Sequence, residues 1–285
     1  MKNVISFIKK FTDVTRFHCY QHNILYGLLP LFYFKNNFVD ILIFYFIFLF
    51  WYMFSFMIND YADVDTDKIA KKNSVYLGII SRKNLLLLSL ACLIISYMIS
   101  LYFYPIKAFL FLLFMTFLSY SYSVEPFRLK KKSILGLPVA VFVAGPAGLV
   151  YTYISYGFID YFWLTIMGVI SFLHIAQTQI WDGLNDFEAD KKAGMFRRLE
   201  QIIGEKKTFK LLTLLELVLF LTLFSVFIYY NKIMLFIFLL IALIIYSFKK
   251  RNLNPLRNDK KKFMFLSYPI FTIIISVSLL IFCLF

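Results

Sequence analysis

Asn59-Asp60-Tyr61-Ala62-Asp63-Val64-Asp65-Thr66-Asp67 follows an apolar run, Ile41 to Ile58, that contains no charged residue. Far along the chain, a second apolar run ending at Trp181 leads into Asp182-Gly183-Leu184-Asn185-Asp186-Phe187-Glu188-Ala189-Asp190. Half of the sixteen acidic residues therefore sit in two short segments, each just past an apolar run. On a helix, Asp60, Asp63 and Asp67 fall at i, i+3 and i+7, and Asp182, Asp186 and Asp190 at i, i+4 and i+8, so each set projects from one face. Carboxylates aligned in this way repel unless a cation lies among them. Hard divalent cations take oxygen ligands, and Mg²⁺ in particular is held by a few carboxylates together with substrate phosphate oxygens. Two such faces point to a diphosphate-binding site.

The rest of the chain fits a membrane protein. Of 285 residues, 61% are hydrophobic and only 16% charged, outside the range of soluble domains. Apolar runs near the twenty residues needed to cross a bilayer occur at Phe17 to Phe34, Phe38 to Ile58, Leu85 to Tyr104, Ile106 to Val124, Ile134 to Ile154, Tyr161 to Trp181, Phe209 to Tyr230, Ile233 to Phe248 and Phe263 to Phe285. The expectation is an all-α integral membrane protein, one domain over residues 1–285, with nine transmembrane helices around a central cavity. The net charge of +14 follows topology and indicates no nucleic-acid partner. With the N-terminus inside, three of the thirty basic residues, Lys35, Lys107 and Lys232, fall on outer loops. That asymmetry obeys the positive-inside rule. It predicts a cytoplasmic N-terminus, an outward C-terminus, and both Asp-rich stretches on the cytoplasmic side.

Residues 1–16 read as an interfacial amphipathic segment, with Val4, Phe7, Ile8, Phe11 and Val14 on one face. No secretory signal is apparent. Cys19, Cys92 and Cys283 are scattered and have no metal-binding spacing. Gly136, Ala140, Ala144 and Gly148 form a small-residue ridge in the fifth span, where Gly145-Pro146 predicts a kink. The acidic stretches follow the second and sixth spans, and basic loops follow the fourth and eighth. This weak repeat of two four-helix halves plus a final helix would bring the acidic faces together.

Polar edges lead toward both acidic stretches: Tyr52, Ser55, Asn59 and Asp63 on one helix, and His174, Thr178, Asp182 and Asn185 on the other. Because polar groups are costly in lipid, both edges are expected to line one cavity. Solvated loop charges balanced by Lys68, Lys71, Lys72, Lys191 and Lys192 are the plainer alternative. Two aligned sets on one side disfavour it. A calcium loop starting at Asp63, Asp65 and Asp67 fails because Lys68 occupies the glycine position and Ser74 the bidentate-glutamate position. His18 and His22 have an i, i+4 spacing able to hold a metal but no evident third ligand, so they read as hydrogen-bonded polar residues, as does His174.

These residues resemble the UbiA superfamily of intramembrane prenyltransferases. Its first motif, Asn-Asp-x-x-Asp-x-x-x-Asp, is matched by Asn59, Asp60, Asp63 and Asp67, and its second resembles Asp186, Asp190 and Gly194. The stretch from Tyr122 to Lys130 is similar to the family's Tyr-Ser-x-x-Pro-x-Arg-Leu-Lys loop. Departures are Ser74-Val75 after Asn73, where many relatives have Arg-Pro, and Arg197-Arg198 after Gly194. The resemblance implies Mg²⁺-dependent transfer of a prenyl group from an isoprenoid diphosphate to an acceptor. Acceptors in the family include aromatic quinone precursors, porphyrin-derived rings, glycerol-phosphate lipids and sugar phosphates. It assigns Asp60, Asp63, Asp67, Asp186 and Asp190 to catalysis, with Asp60, Asp63, Asp186 and Asp190 as metal ligands. Asn59, Tyr122, Arg128, Lys130, Asp182, Lys192 and Arg198 become candidates for diphosphate or substrate binding. Cyclisation of the isoprenoid without an acceptor is the alternative enzyme reading, and a membrane transporter the alternative from another class. The sequence leaves oligomeric state open.

Overall fold

Two helices longer than a bilayer is thick set the frame of the computed structural model. It describes residues 10–70, 74–131, 133–192, 199–232, 237, 240, 241 and 260–284. The helices are α1 (Gln21–Tyr33), α2 (Phe38–Ala70), α3 (Arg82–Phe103), α4 (Ile106–Ser123), α5 (Ser133–Ala144), α6 (Pro146–Tyr156), α7 (Tyr161–Lys192), α8 (Leu199–Ile203), α9 (Glu205–Tyr229) and α10 (Lys260–Leu284). No strand occurs among the described residues.

α2 has 33 residues, about 50 Å at 1.5 Å per residue, against a hydrocarbon core of roughly 30 Å. Its charge-free part fills the core, and the turns carrying Asn59 to Asp67 project beyond it. α7, with 32 residues, does the same at its C-terminal end. The other ends of both helices are capped by side chains. Asn37 Oδ1 accepts from the Asp40 amide at 2.9 Å, and Asp160 Oδ1 from the Trp163 amide at 2.9 Å.

Five described helices are long and apolar enough to cross a membrane, or six if the bent pair α5–α6 is one span. That pair bends by 47° where Gly145-Pro146 interrupts the helix, as the sequence predicts. The bend divides the small-residue ridge between two elements. Gly136 packs on the backbone of Leu129, and Gly148 lies against Gly27 of α1. The first expected span is shorter than predicted. After a left-handed Arg16 and a 3-10 turn at Phe17–Cys19, α1 starts only at Gln21. Its 13 residues reach about 20 Å, less than the core thickness. The ninth expected span coincides with α10. The eighth, apart from three residues, lies outside the described residues, as do residues 1–9 of the amphipathic segment.

Packing is inverted relative to a soluble bundle. On α3, Ser89, Cys92, Ser96 and Ser100 are buried while Leu90, Ile94, Met98 and Leu101 are exposed. Small polar residues permit close approach and reach across to neighbours. Ser96 Oγ donates to the Ile47 carbonyl at 2.9 Å, and Ser100 bonds the Tyr151 hydroxyl at 2.8 Å. The buried apolar side chains fall into three clusters: one centred on Phe44, Phe48 and Trp51 of α2, one on Trp163, Met167 and Ile170 of α7, and a smaller one of Ile180, Trp181 and Leu184 of α7 with Leu212 of α9.

The crossing of α1 and α6 yields a stability test. A Cβ at Gly27 would overlap the Phe44 ring and lie 3.3 Å from the Gly148 carbonyl carbon, whereas one at Gly168 meets nothing within 4 Å. Gly27→Val is expected to lower stability by about 1–3 kcal/mol through overpacking. Gly168→Ala should stay within about 1 kcal/mol of wild type. Thermal unfolding in detergent measures both.

Candidate active site

The last turns of α2 place Asn59, Asp60 and Asp63 next to three cations drawn from two other parts of the chain. Asp60 is only 1% exposed and pairs with Arg16 Nη2 at 2.7 Å. Arg16 reaches it from a left-handed backbone conformation, φ 50° and ψ 36°. This turn ends the helical stretch Lys10–Thr15 and starts the 3-10 turn. No local pattern around Arg16 marks it as this partner.

Asp63 is held from the loop after α4. Arg128 Nη2 lies 3.1 Å from its Oδ1 and Lys130 Nζ 2.5 Å from its Oδ2. Lys130, 5% exposed, also donates to Asn59 Oδ1 at 2.9 Å, and Ser123 Oγ donates to the same oxygen at 2.9 Å. The loop's fold explains its aim. The Arg128 amide bonds the Val124 carbonyl at 2.9 Å, Arg128 takes a φ of 37°, and Leu129–Lys131 form a 3-10 turn against Gly136. Buried charges need paired, hydrogen-bonded partners, and here each partner comes from another element. Tyr122 is half-buried at the end of α4.

The second acidic stretch occupies the C-terminal turns of α7, and α7 packs against α2. Asp182 is exposed. It and Asp60 both lie within electrostatic range of Cys19, as does Arg16. Asp186, Asp190 and Lys192 belong to α7, and Asp67 to α2, but their side chains lie outside the described residues. Arg198 lies wholly outside them. Among the described residues no three His, Cys, Asp or Glu side chains form a metal-holding group.

The polar edges behave differently from expectation. Tyr52 donates to the carbonyls of Val143 and Ala144, and Ser55 bonds Ser119. Their hydroxyls join α2 to α4 and to the α5–α6 break, since a group in lipid takes the nearest available partner. Below Asp60, Tyr20 stacks on Tyr52 with centroids 5.6 Å apart and meets Phe56 at 5.3 Å. Glu200 of α8, 4% exposed, presses its carboxyl group against Gly183, where a Cβ would collide with it.

Residues 24–268 match the profile of the UbiA prenyltransferase family. The chain belongs to that family. No curated protein matches the chain by sequence. Among solved structures, it is similar to a UbiA homolog from Archaeoglobus fulgidus bound to DMAPP and Mg²⁺, with 20% identity, a TM-score of 0.70, and coverage of 96% of this chain and 99% of that one. The same homolog bound to GPP and Mg²⁺ gives a TM-score of 0.71 at the same identity and coverage. A digeranylgeranylglyceryl phosphate synthase structure gives 0.66 at 20% identity, covering 97% of this chain and 98% of that one. At these identities the likeness establishes the UbiA fold. It also agrees with an integral membrane protein.

Lys130 and Asp63 form a partly buried pair whose worth a double-mutant cycle measures. Lys130→Met and Asp63→Asn are each expected to lower stability, with a coupling of about 1–3 kcal/mol. Additive losses in thermal unfolding would mean that the two side chains do not act as a pair.

Proposed function

We propose that the protein transfers a prenyl group from an isoprenoid diphosphate to an acceptor, with Mg²⁺ as cofactor. The observation carrying this reading is the convergence of Arg16, Arg128 and Lys130 on Asp60, Asp63 and Asn59 at the end of α2. Membership of the UbiA prenyltransferase family and the Mg²⁺ and prenyl diphosphates in the related archaeal structures support it.

The donor set suits Mg²⁺, being made of hard oxygen atoms with cations alongside that can turn to phosphate oxygens. Asp60 and Asp63 would hold the ion with Asp186 and Asp190, and Asp67 and Asp182 would add negative charge. Bound there, Mg²⁺ supplies charge neutralisation on the diphosphate leaving group. The chain's own cations do further work. Lys130 and Arg128, joined by Arg198 and Lys192, receive the charge that develops as the allylic carbon–oxygen bond breaks. Asn59 keeps Lys130 aimed, and Tyr122 lies at the head of the cationic loop. The electron pair leaves with the diphosphate, and the allylic cation is captured by the acceptor's nucleophilic atom, which then loses a proton. The clustered rings of Tyr20, Tyr52 and Phe56 offer aromatic groups to stabilise that cation. The mouth faces the cytoplasm, with the N-terminus on the same side and the C-terminus outside.

Purified protein in nanodiscs, given Mg²⁺, labelled geranyl or farnesyl diphosphate and a panel of acceptors, tests the reading. Diphosphate release and a product mass equal to acceptor plus prenyl group are the expected result. Isoprenoid products alone would indicate cyclisation. Asp60→Ala and Asp186→Ala should each reduce release about 100-fold or more, in line with loss of a major electrostatic contributor. Chelation of the metal should abolish release, and added Mg²⁺ should restore it. Solute flux with no diphosphate consumed would overturn the proposal.

A further inference from the structure

The three cations at the end of α2 are not equally enclosed. Lys130 has 3% of its side chain exposed and is shared between Asp63 and Asn59. Arg128 has 12% exposed and reaches Glu125 as well as Asp63. Arg16 has 27% exposed, so it borders water, whereas the Asp60 carboxylate that it meets has 1%. Of the three, Arg16 has the most open way out.

The backbone around Arg16 is suited to a local change. Arg16 takes a left-handed conformation, which a residue with a Cβ rarely adopts. The turn after it is closed by the bond from the Cys19 amide to the Arg16 carbonyl, 2.8 Å. Both flanks are fixed. Before the turn, Val14 and Thr15 are buried. After it, Tyr20 is fully buried against Tyr52, and α1 is tied to the bundle further on. His174 of α7 is fully buried. Its Nδ1 is hydrogen-bonded to the Tyr26 hydroxyl of α1, and its Nε2 lies 3.4 Å from Thr272 Oγ1 of α10. Residues 16–19 thus form a short link between two anchored pieces.

At 1% exposure, Asp60 is out of reach of an ion from water unless a neighbour moves, and Arg16 is the neighbour that borders water. An ion on that carboxylate also faces the guanidinium at close range, cation against cation, with little water to screen them. Both arguments favour exchange of one cation for the other. We propose that Arg16 is a latch displaced by the metal: Mg²⁺ and the Arg16 guanidinium compete for Asp60, and binding of the ion moves the guanidinium toward water and opens the turn at residues 16–19. The inference rests on Mg²⁺ binding at Asp60 in the prenyl-transfer reading. Lys130 and Arg128, more enclosed, stay in place, and α1 beyond Tyr26 does not move. Metal loading at the end of α2 is thereby coupled to the chain that enters α1.

The test uses the full chain in nanodiscs with Mn²⁺ as probe, an ion that suits the same oxygen ligands and whose binding is read by paramagnetic resonance. Arg16→Met, which removes the competing charge, should bind Mn²⁺ tenfold or more tightly than wild type, and Arg16→Lys should stay within threefold of wild type. In wild type, saturating Mn²⁺ or Mg²⁺ should speed hydrogen exchange in the peptide carrying the Cys19 amide tenfold or more, while the amides of α1 beyond Tyr26 stay protected. In Asp60→Asn, metal should leave that exchange unchanged. If Arg16→Met does not fold, the exchange in wild type and Asp60→Asn decides. A purely structural ion pair would keep the Cys19 amide protected at saturating metal and give Arg16→Met a Mn²⁺ affinity equal to wild type or lower; either result overturns the proposal. If metal opens the turn as expected but geranyl diphosphate does not bind, the latch stands and the prenyl-transfer reading falls. Binding of geranyl diphosphate with metal, without a change at Cys19, removes the latch and leaves the transfer reading intact.

Discussion

A carboxylate that loses water at the edge of a bilayer must gain cations, and in this protein that requirement links distant parts of the chain. Asp60 is almost wholly buried where α2 leaves the hydrocarbon region. An uncompensated charge there would cost several kcal/mol. Arg16 meets it from the N-terminal segment, and Arg128 and Lys130 meet Asp63 from the loop after α4. Each ion pair therefore also fixes a piece of backbone: the turn leading into α1 and the loop leading into α5. The electrostatics of the mouth and the entry angles of two helices are one arrangement.

Beneath the mouth, specificity of packing comes from small and polar residues, because apolar side chains gain little by leaving lipid for one another. The Gly27–Gly148 crossing, the serines of α3 and the Tyr52 contacts with the α5–α6 break determine which helices touch. Large apolar residues remain on the outside. The bend at Gly145-Pro146 is part of this scheme. A Cβ at Gly145 would come 2.9 Å from Ile175 and 3.2 Å from the Ser171 carbonyl of α7, so the break occurs where two backbones need to be close.

Much of this was legible in the sequence for physical reasons. Charge-free runs of membrane-spanning length and carboxylates at helical spacing are local patterns, so α2, α7 and their acidic ends could be located directly. The kink at Pro146 was equally local. The cations that meet Asp63 were identified through the family-like loop from Tyr122 to Lys130. Three features could not be read. Arg16 acts through a left-handed turn and a partner 44 positions away, Glu200 through space left by a glycine on another helix, and Tyr26 and His174 through a bond across the bundle. Each is a tertiary contact between residues with ordinary local surroundings. The shortness of α1 was missed because composition does not reveal a turn at Arg16 to Tyr20.

The Tyr26–His174 bond also bears on how the protein is made. The two residues are 148 positions apart, so at synthesis rates of about 5–20 residues per second the first helix waits roughly 7–30 s for its partner to emerge. During that interval α1 carries His22, Asn23 and Tyr26 into or against the membrane without the helix that will pair with them. A short helix with a polar face is poorly suited to hold a transmembrane position alone. Its final placement therefore depends on α7 and then on α10, which supplies Thr272. α1 is thus made well before α7 and α10 and is secured only once both have followed it.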